Sequence, residues 1–207
     1  MKSKFINREE LQRIAGALSG DEWLPLRVSL ETGLRIGDVL KAKTTDIVKT
    51  DGEFSLKYTA EKTGKKGRAP LPAPLAKRLL SGKKRGAFLF PSYGKTGHLT
   101  RQAAWQRMKR GAELAGLPVE GLSPHSLRKV YAVHLRHEKG FEAVREALQH
   151  SADAVTRLYA YSDTVTGYAP DEPIRWQDID ILADYLLQRM RENSNSNTCS
   201  GSSSCQG

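Results

Sequence analysis

The stretch SPHSLRKVYAVHLRHEKGFEAVREALQHSADAVTRLYAY, from Ser123 to Tyr161, collects side chains that suit a phosphate site. Pro124 favours the start of a helix, and His125 and Arg128 then lie one turn apart, where both can bind the same small anion. A short apolar helix, FEAVREALQ, precedes His150, and a tyrosine follows nine residues later. We therefore predict an anion site with a nucleophilic hydroxyl beside it.

A second candidate anion site lies far upstream, in the stretch ETGLRIGDVL from Glu31 to Leu40. Its Thr-Gly pair breaks the preceding helix, and the next helix is expected to begin near Ile36. Arg35 then lies beside free backbone N–H groups, which suits an anionic oxygen. Asp38 follows one turn later, and it either pairs with Arg35 at the surface or braces another side chain of the site.

A small antiparallel sheet with a basic tip is predicted between these two stretches. Residues 54–60, FSLKYTA, alternate as a strand does, and residues 67–71 form the partner edge after a turn rich in Lys and Gly. Lys62, at the junction of strand and turn, can reach a phosphate in a groove. Lys65 and Lys66 are predicted to be more exposed and to contact a nucleic-acid backbone.

The other periodic segments predict helices. The expected helices are one over residues 8–19, one capped by Asp21, one from Pro74, one capped by Thr100, and one from His125 to about Glu138. The fold class is therefore α+β and mainly α-helical, with one small antiparallel sheet.

The helix that Thr100 caps is basic on its outer side. Trp105 is expected in the core rather than as a platform for base stacking. The residues expected to pack inward are Ala104, Met108, Ala112 and Leu114. The residues expected to face solvent or nucleic acid are Arg101, Arg107, Lys109 and Arg110.

Positive charge is concentrated in the middle of the chain. The formal net charge is +10, and residues 57–110 hold 15 Lys or Arg and a single acid, Glu61, so that this part carries +14 and the remainder −4. Such a surface favours a polyanion through counterion release. Charge alone leaves DNA, RNA and an acidic membrane open, as well as a cationic face that only aids solubility.

The ends of the chain bound its cellular setting. No run of about 18 apolar residues occurs, and the N-terminal MKSKFINREE lacks the apolar segment of a signal peptide, so a cytoplasmic protein is expected.

An apolar stripe predicts a helix over residues 173–192. Cys199 and Cys205 follow in a Ser/Asn/Gly tail, residues 193–207, which is predicted to be disordered. The histidines lack Cys or carboxylate partners at ligand spacing, so no metal site is predicted.

Together these motifs resemble the catalytic domain of the tyrosine recombinase (phage integrase) family, over roughly residues 8–165. The motifs are Thr-Gly-Leu-Arg-x-x-Asp, Glu-Lys-Thr-Gly, His-x-x-Arg, and a final His with a Tyr nine residues later. The family usually has Leu-Gly-His where this chain has Leu148-Gln149-His150. The matching side chains are Arg35, Asp38, Lys62, His125, Arg128, His150 and Tyr159.

The resemblance implies a site-specific DNA recombinase or integrase of a mobile element that needs no metal, cofactor or ATP. Tyr159 would attack a DNA phosphodiester and form a 3′-phosphotyrosyl bond, while Arg35 and Arg128 hold the non-bridging oxygens. Tyr161 is the alternative nucleophile, but the spacing from the final His favours Tyr159, and Tyr168 is too distant. The other implied roles are leaving-group acid for Lys62, acceptor of the tyrosine proton for His125, and hydrogen-bond donor to the phosphate for His150.

The resemblance also implies partners and domains. Residues 1–192 would form the catalytic domain, and the N-terminal core-binding domain of the family is expected to be absent. The expected partner is double-stranded DNA, bound by a homo-oligomer, a tetramer, with accessory DNA-bending proteins as further partners. The predicted DNA contacts are Lys65, Lys66, Arg68, Arg101, Arg107, Lys109 and Arg110.

Two other functions remain open at this point. One is a nicking and closing enzyme similar to type IB topoisomerases, which would use the same phosphotyrosine step. The other is a DNA-binding regulator that has the same fold but no activity.

Overall fold

The structure is a computed structural model, and it describes residues 3–148. The predicted helix over residues 173–192 and the predicted disordered tail, residues 193–207, lie outside the described residues. No helix in the described part combines the length and apolar character needed to span a bilayer.

The N-terminal helices begin at capping boxes. Helix α1, Arg8–Ala17, starts where Asn7 accepts a hydrogen bond from the Glu10 N–H and Glu10 accepts one from the Asn7 N–H. Helix α2, Gly20–Thr32, is capped in the same way by Ser19 and Glu22. The prediction of Asp21 as the cap was wrong, because the Ser19 hydroxyl already satisfies the free N–H groups and makes Gly20 the first helical residue. Helix α3, Ile36–Leu40, begins at the predicted residue.

The sheet has three antiparallel strands in the order β1-β2-β3: β1 Ile47–Thr50, β2 Glu53–Thr59 and β3 Lys66–Leu71. The two predicted strands are confirmed, with ends shifted by one residue. Strand β1 was missed because the four residues IVKT are too few to show an alternating pattern. The register pairs Lys57 with Arg68 and Thr59 with Lys66, so that the hairpin carries positive charge along both strands.

The remaining helices are α4, Ala73–Leu80, α5, Arg101–Leu114, and α6, Pro124–Leu148. Thr100 caps α5 as predicted, by accepting a hydrogen bond from the Ala103 N–H at 3.1 Å. Helix α6 joins the two helices predicted on either side of Gly140, whose backbone is not helical (φ 80°, ψ −178°). The range therefore contains two helices with a kink between them at Gly140, as the sequence predicts.

Two predictions for α5 were wrong. Leu114 is 60% exposed, because it lies off the stripe along which Ala104, Met108 and Ala112 are buried. Trp105 is 36% exposed, and its indole N–H donates to the Leu122 carbonyl at 3.0 Å. Trp105 therefore lies at the surface against the loop before α6 and does not fill the core.

One main core holds these elements together. It includes the buried faces of α1 to α5, the sheet and the first turns of α6. Helices α1 and α5 pack closely, since a Cβ added at Gly111 would lie 2.9 Å from the Cγ of Leu18, which directly follows α1, and 3.1 Å from the Ile14 Cγ2. A smaller cluster joins the two halves of α6 across the kink and consists of Ala132, Val133, Leu135, Val144 and Leu148.

This packing predicts very different effects for two truncations on α5. Met108→Ala removes a fully buried side chain and leaves a cavity, so we expect the free energy of unfolding to fall by about 2–5 kcal/mol. Leu114→Ala is the matched control and should change it by about 0.5 kcal/mol or less, because Leu114 is exposed. Urea unfolding of both variants measures the difference. Equal losses would contradict the assignment of the buried face.

Candidate active site

Arg128 joins two distant parts of the chain. It lies on the second turn of α6 and is only 8% exposed. One Nη donates a hydrogen bond to the carbonyl of Gly33, and the other donates to the carbonyl of Leu148 at 2.7 Å. Hydrogen bonds from a charged donor each contribute about 1.5–3 kcal/mol. The Arg128 guanidinium therefore holds the loop after α2 against the end of α6.

Gly33 is required where Arg128 meets this loop. It ends α2 in the left-handed conformation, with φ 65°, which side chains with a Cβ rarely adopt. A Cβ at this position would also lie 2.3 Å from two ring carbons of Tyr131. Neighbouring Thr32 closes the helix end by donating its hydroxyl to the Val28 carbonyl at 2.6 Å. The Thr-Gly pair thus fixes the backbone just before Arg35.

Arg35 and Arg128 lie close enough to repel each other. Burial, followed by the positive charge of Arg35, lowers the pKa of Arg128 to about 10, while Asp38 opposes the shift. Arg35 itself is only half-buried at the N-terminus of α3. An anion bound between the two guanidinium groups would relieve this repulsion. The two arginines that were predicted in separate anion sites thus lie near each other.

His125 belongs to the same cluster of positive charge. Its side chain is exposed at the first turn of α6, but partial desolvation still lowers its pKa, and the charges of Arg128, Arg35 and Lys129 lower it further. A histidine with a depressed pKa is neutral near pH 7. It can therefore accept a proton there without first losing one.

Asp38 braces the turn that carries Lys62. The Asp38 carboxylate is buried and accepts a hydrogen bond from the backbone N–H of Glu61 at 3.0 Å. Within residues 3–148 Asp38 forms no ion pair with Arg35, and its hydrogen bond goes to the backbone of Glu61 rather than to a side chain of the predicted site. The turn is closed from the other side, because Ala60 exchanges backbone hydrogen bonds with Gly64 and Lys65. Lys62 is exposed at this turn, beside α3.

The predicted DNA-contacting residues divide into two groups. Lys65, Lys66, Arg68 and Arg101 are exposed on the hairpin and at the start of α5. An open cleft of about 720 Å³ lies between the hairpin and α3, and Lys41, Lys57, Lys66 and Arg68 line it. On α5, however, acids already engage two of the predicted residues. Arg110 pairs with Glu22 at 2.6 Å and Lys109 with Glu113 at 3.6 Å, while Arg107 and Lys109 are half-buried.

Several residues near the site were not found from the sequence. Tyr58 and Tyr131 lie near Arg128, where both phenols act to raise its pKa, and both line a second cleft of about 490 Å³. Lys41 and Glu61 form an ion pair at 2.9 Å beside Lys62. For the contact between Arg128 and Gly33, the sequence did contain a signal, namely the helix break at the Thr-Gly pair. Nothing local to the sequence connects Lys41 with Glu61, because the fold brings them together.

His150, Tyr159 and the alternative nucleophile Tyr161 lie outside the described residues. The Leu148 carbonyl that Arg128 holds precedes His150 by two residues.

Comparison with known proteins identifies the family. A profile described as the Phage integrase family matches residues 4–165. The chain belongs to this family. The matched range includes every motif of the predicted site, and it includes both candidate tyrosines, Tyr159 and Tyr161.

The integrase-family relatives include bacterial recombinases. The tyrosine recombinase XerD of Brucella melitensis is 30% identical over 172 residues, which cover 76% of this chain and 55% of the relative. The XerD of Caulobacter vibrioides is 31% identical over 178 residues, which cover 76% and 57%. The chain thus spans about half the length of the curated relatives it matches.

Solved structures share the integrase fold. A XerH site-specific recombinase in a post-cleavage complex with difH substrate matches with a TM-score of 0.61 and 22% identity, over 79% of this chain and 51% of that chain. The catalytic domain of bacteriophage HP1 integrase matches with a TM-score of 0.59 and 22% identity, over 77% and 89%. The predicted fold class, a mainly helical catalytic domain with a small antiparallel sheet, is confirmed.

The cluster of positive charge predicts how His125 titrates. Arg35→Gln removes one of the charges that depress the His125 pKa, so this pKa should rise. It should stay below the ordinary histidine value, because burial, the largest cause, and Arg128 remain. NMR titration of the His125 ring measures the shift. Arg68→Gln, on exposed β3, is the control and should leave it unchanged. A His125 pKa that does not respond to Arg35→Gln would contradict the shared site.

Proposed function

We propose that this chain carries the DNA cleavage and rejoining centre of a site-specific recombinase. The observation that supports this most is that Arg35, at the start of α3, lies near Arg128 and His125, which are far along the chain on α6. Forked guanidinium groups suit a phosphate whose charge grows in the transition state. The names of the relatives favour strand exchange over the relaxation reaction of a topoisomerase or a silent regulator.

The reaction proceeds in two phosphoryl transfers. The Tyr159 oxygen attacks the DNA phosphorus, the bond to the 5′-oxygen breaks, and a 3′-phosphotyrosyl linkage forms. A 5′-hydroxyl of a second strand then reverses these steps and releases the tyrosine. Each step exchanges one phosphodiester bond for another, so no external energy source is needed.

The side chains divide the work between phosphate and protons. Arg35 and Arg128 hold the non-bridging oxygens, and the neutral His125 accepts the tyrosine proton. Lys62, on the turn braced by Asp38, gives a proton to the departing 5′-oxygen. His150 donates a hydrogen bond to the phosphate. Removing one such donor to the developing charge typically lowers the rate by about 10²–10³-fold.

Double-stranded DNA is the proposed substrate, and the cytoplasm the proposed place of action. The exposed hairpin residues Lys65, Lys66 and Arg68 would contact its phosphates, together with Arg101 at the start of α5. The fold matches include a lambda integrase tetramer bound to a Holliday junction. A tetramer on DNA, assisted by DNA-bending proteins, is the proposed assembly. Arg110 and Lys109 would take part only by exchanging their acidic partners for phosphate.

The proposal predicts a covalent protein–DNA adduct. A library of duplexes with randomised arms and a nick near the centre traps the intermediate, because the short 5′-hydroxyl fragment diffuses away. Denaturing gels should show an adduct with the full chain, none with Tyr159→Phe, and an undiminished adduct with Tyr161→Phe. An adduct that persists in Tyr159→Phe would refute this nucleophile, and no adduct from the wild-type chain would refute the proposed function.

A further inference from the structure

We propose that Glu61 is a positioning residue for Lys62, a role that rests on the proposed function. Glu61 comes directly before Lys62 in the turn between β2 and β3, and it is the only acid among the basic residues 57–110. An acid on a surface that attracts DNA opposes binding. Its presence at this one place calls for a structural reason, which its contacts supply.

Glu61 is bound to α3 through both its backbone and its side chain. The backbone N–H donates to the buried Asp38 carboxylate at 3.0 Å, and the Glu61 carboxylate pairs with Lys41 at 2.9 Å. Asp38 lies within α3 and Lys41 directly follows its last residue, so the two contacts fix both the position and the rotation of the turn between β2 and β3. One contact alone would leave the turn free to rotate about it.

Glu61 also faces the start of α5. A Cβ added at Gly37 would lie 3.2 Å from the Arg101 Cδ and 3.7 Å from the second carboxylate oxygen of Glu61. Arg101 and Glu61 therefore both approach Gly37, and the absence of a side chain there leaves room for both. The Lys41 hydrogen bond and charge, together with the charge of Arg101, lower the pKa of Glu61, which keeps the carboxylate ionised.

These contacts determine where Lys62 can act. Within residues 3–148 the Lys62 side chain has no hydrogen-bond or ion-pair partner, so only its backbone directs it. That backbone is held by Glu61 on one side and by the Thr63 and Gly64 N–H groups, which donate to the Ala60 carbonyl, on the other. A small displacement of a proton donor lowers the rate of transfer steeply. Glu61 thus acts on the reaction through Lys62 and does not touch the phosphate.

The side-chain contacts of Glu61 are exposed, so that an effect on positioning can be measured separately from an effect on folding. The Lys41 and Glu61 side chains are 51% and 53% exposed, and exposed ion pairs contribute little to stability. Replacing Glu61 should therefore leave the fold intact. Replacing Glu61 then has two opposite expected effects. Loss of its negative charge should strengthen DNA binding, whereas loss of its contact with Lys41 should slow cleavage.

The experiment compares DNA binding with single-turnover cleavage on a nicked duplex taken from the adduct selection. Glu61→Ala should bind this duplex at least as tightly as the wild type and form the adduct about tenfold more slowly. Glu53→Ala, at the start of β2, removes another exposed acid that has no ion pair within residues 3–148. This control should cleave at the wild-type rate. Glu61→Gln keeps an oxygen for Lys41 and should recover most of the rate.

A second substrate identifies the step that Glu61 affects. With sulfur in place of the 5′-bridging oxygen, the P–S bond breaks and a thiolate leaves, which needs no proton near neutral pH. Lys62→Ala should recover the wild-type rate on this substrate, and so should Glu61→Ala. If Glu61→Ala is equally slow on both substrates, or cleaves the oxygen substrate at the wild-type rate, the inference is wrong. If the wild-type chain forms no adduct on either substrate, the proposed function is wrong, and the inference about Glu61 is wrong as well.

Discussion

The buried guanidinium of Arg128 is the contact on which the rest of the site depends. It donates to the Gly33 carbonyl, 95 positions away in the chain, and to the Leu148 carbonyl at the other end of α6. These bonds bring the loop that carries Arg35 and the segment that leads to His150 to the same place. Because a planar fork can bond in several directions at once, an arginine can both organise the site and face its anion.

Placing like charges close together costs electrostatic energy, and acids nearby in the fold offset part of this cost. Burial and the charge of Arg35 lower the pKa of Arg128, which Asp38 opposes, and burial and the charges of Arg128 and Arg35 lower the pKa of His125. Two acids near the site, Asp38 and Glu61, both make contacts that tie α3 to the hairpin. These acids therefore support the site, while the exposed residues Lys62, Lys65, Lys66 and Arg68 keep the hairpin positive. A bound phosphate would compensate the remaining charge.

Most of the helices could be predicted because their signals are local. The Thr100 cap of α5, the start of α3 at Ile36 and the Gly140 break are each encoded within a few residues. Strand β1 is too short for such a signal. Leu114 and Trp105 were misplaced because their spacing alone does not tell which side of α5 the core covers. The cap of α2 was misplaced because two capping residues, Ser19 and Asp21, compete there.

The residues of the site could be predicted from the sequence, but the contacts that connect them could not. Arg35, Lys62, His125 and Arg128 stand out as motifs, whereas the carbonyl partners of Arg128 and the Lys41–Glu61 pair are long-range contacts that only the fold reveals. Every residue has a backbone carbonyl, so a sequence motif cannot indicate which carbonyls Arg128 binds.

The most direct test of the account is single-turnover adduct formation by Arg128→Lys. This variant keeps the positive charge but replaces the planar fork of five donors with a compact ammonium of three, which does not reproduce the geometry of the bonds to the Gly33 and Leu148 carbonyls and a phosphate. The account predicts a fall in rate of about 10²–10³-fold in protein whose near-UV circular dichroism shows it to be folded. Adduct formation by folded Arg128→Lys at the wild-type rate would contradict the central role given to the Arg128 fork.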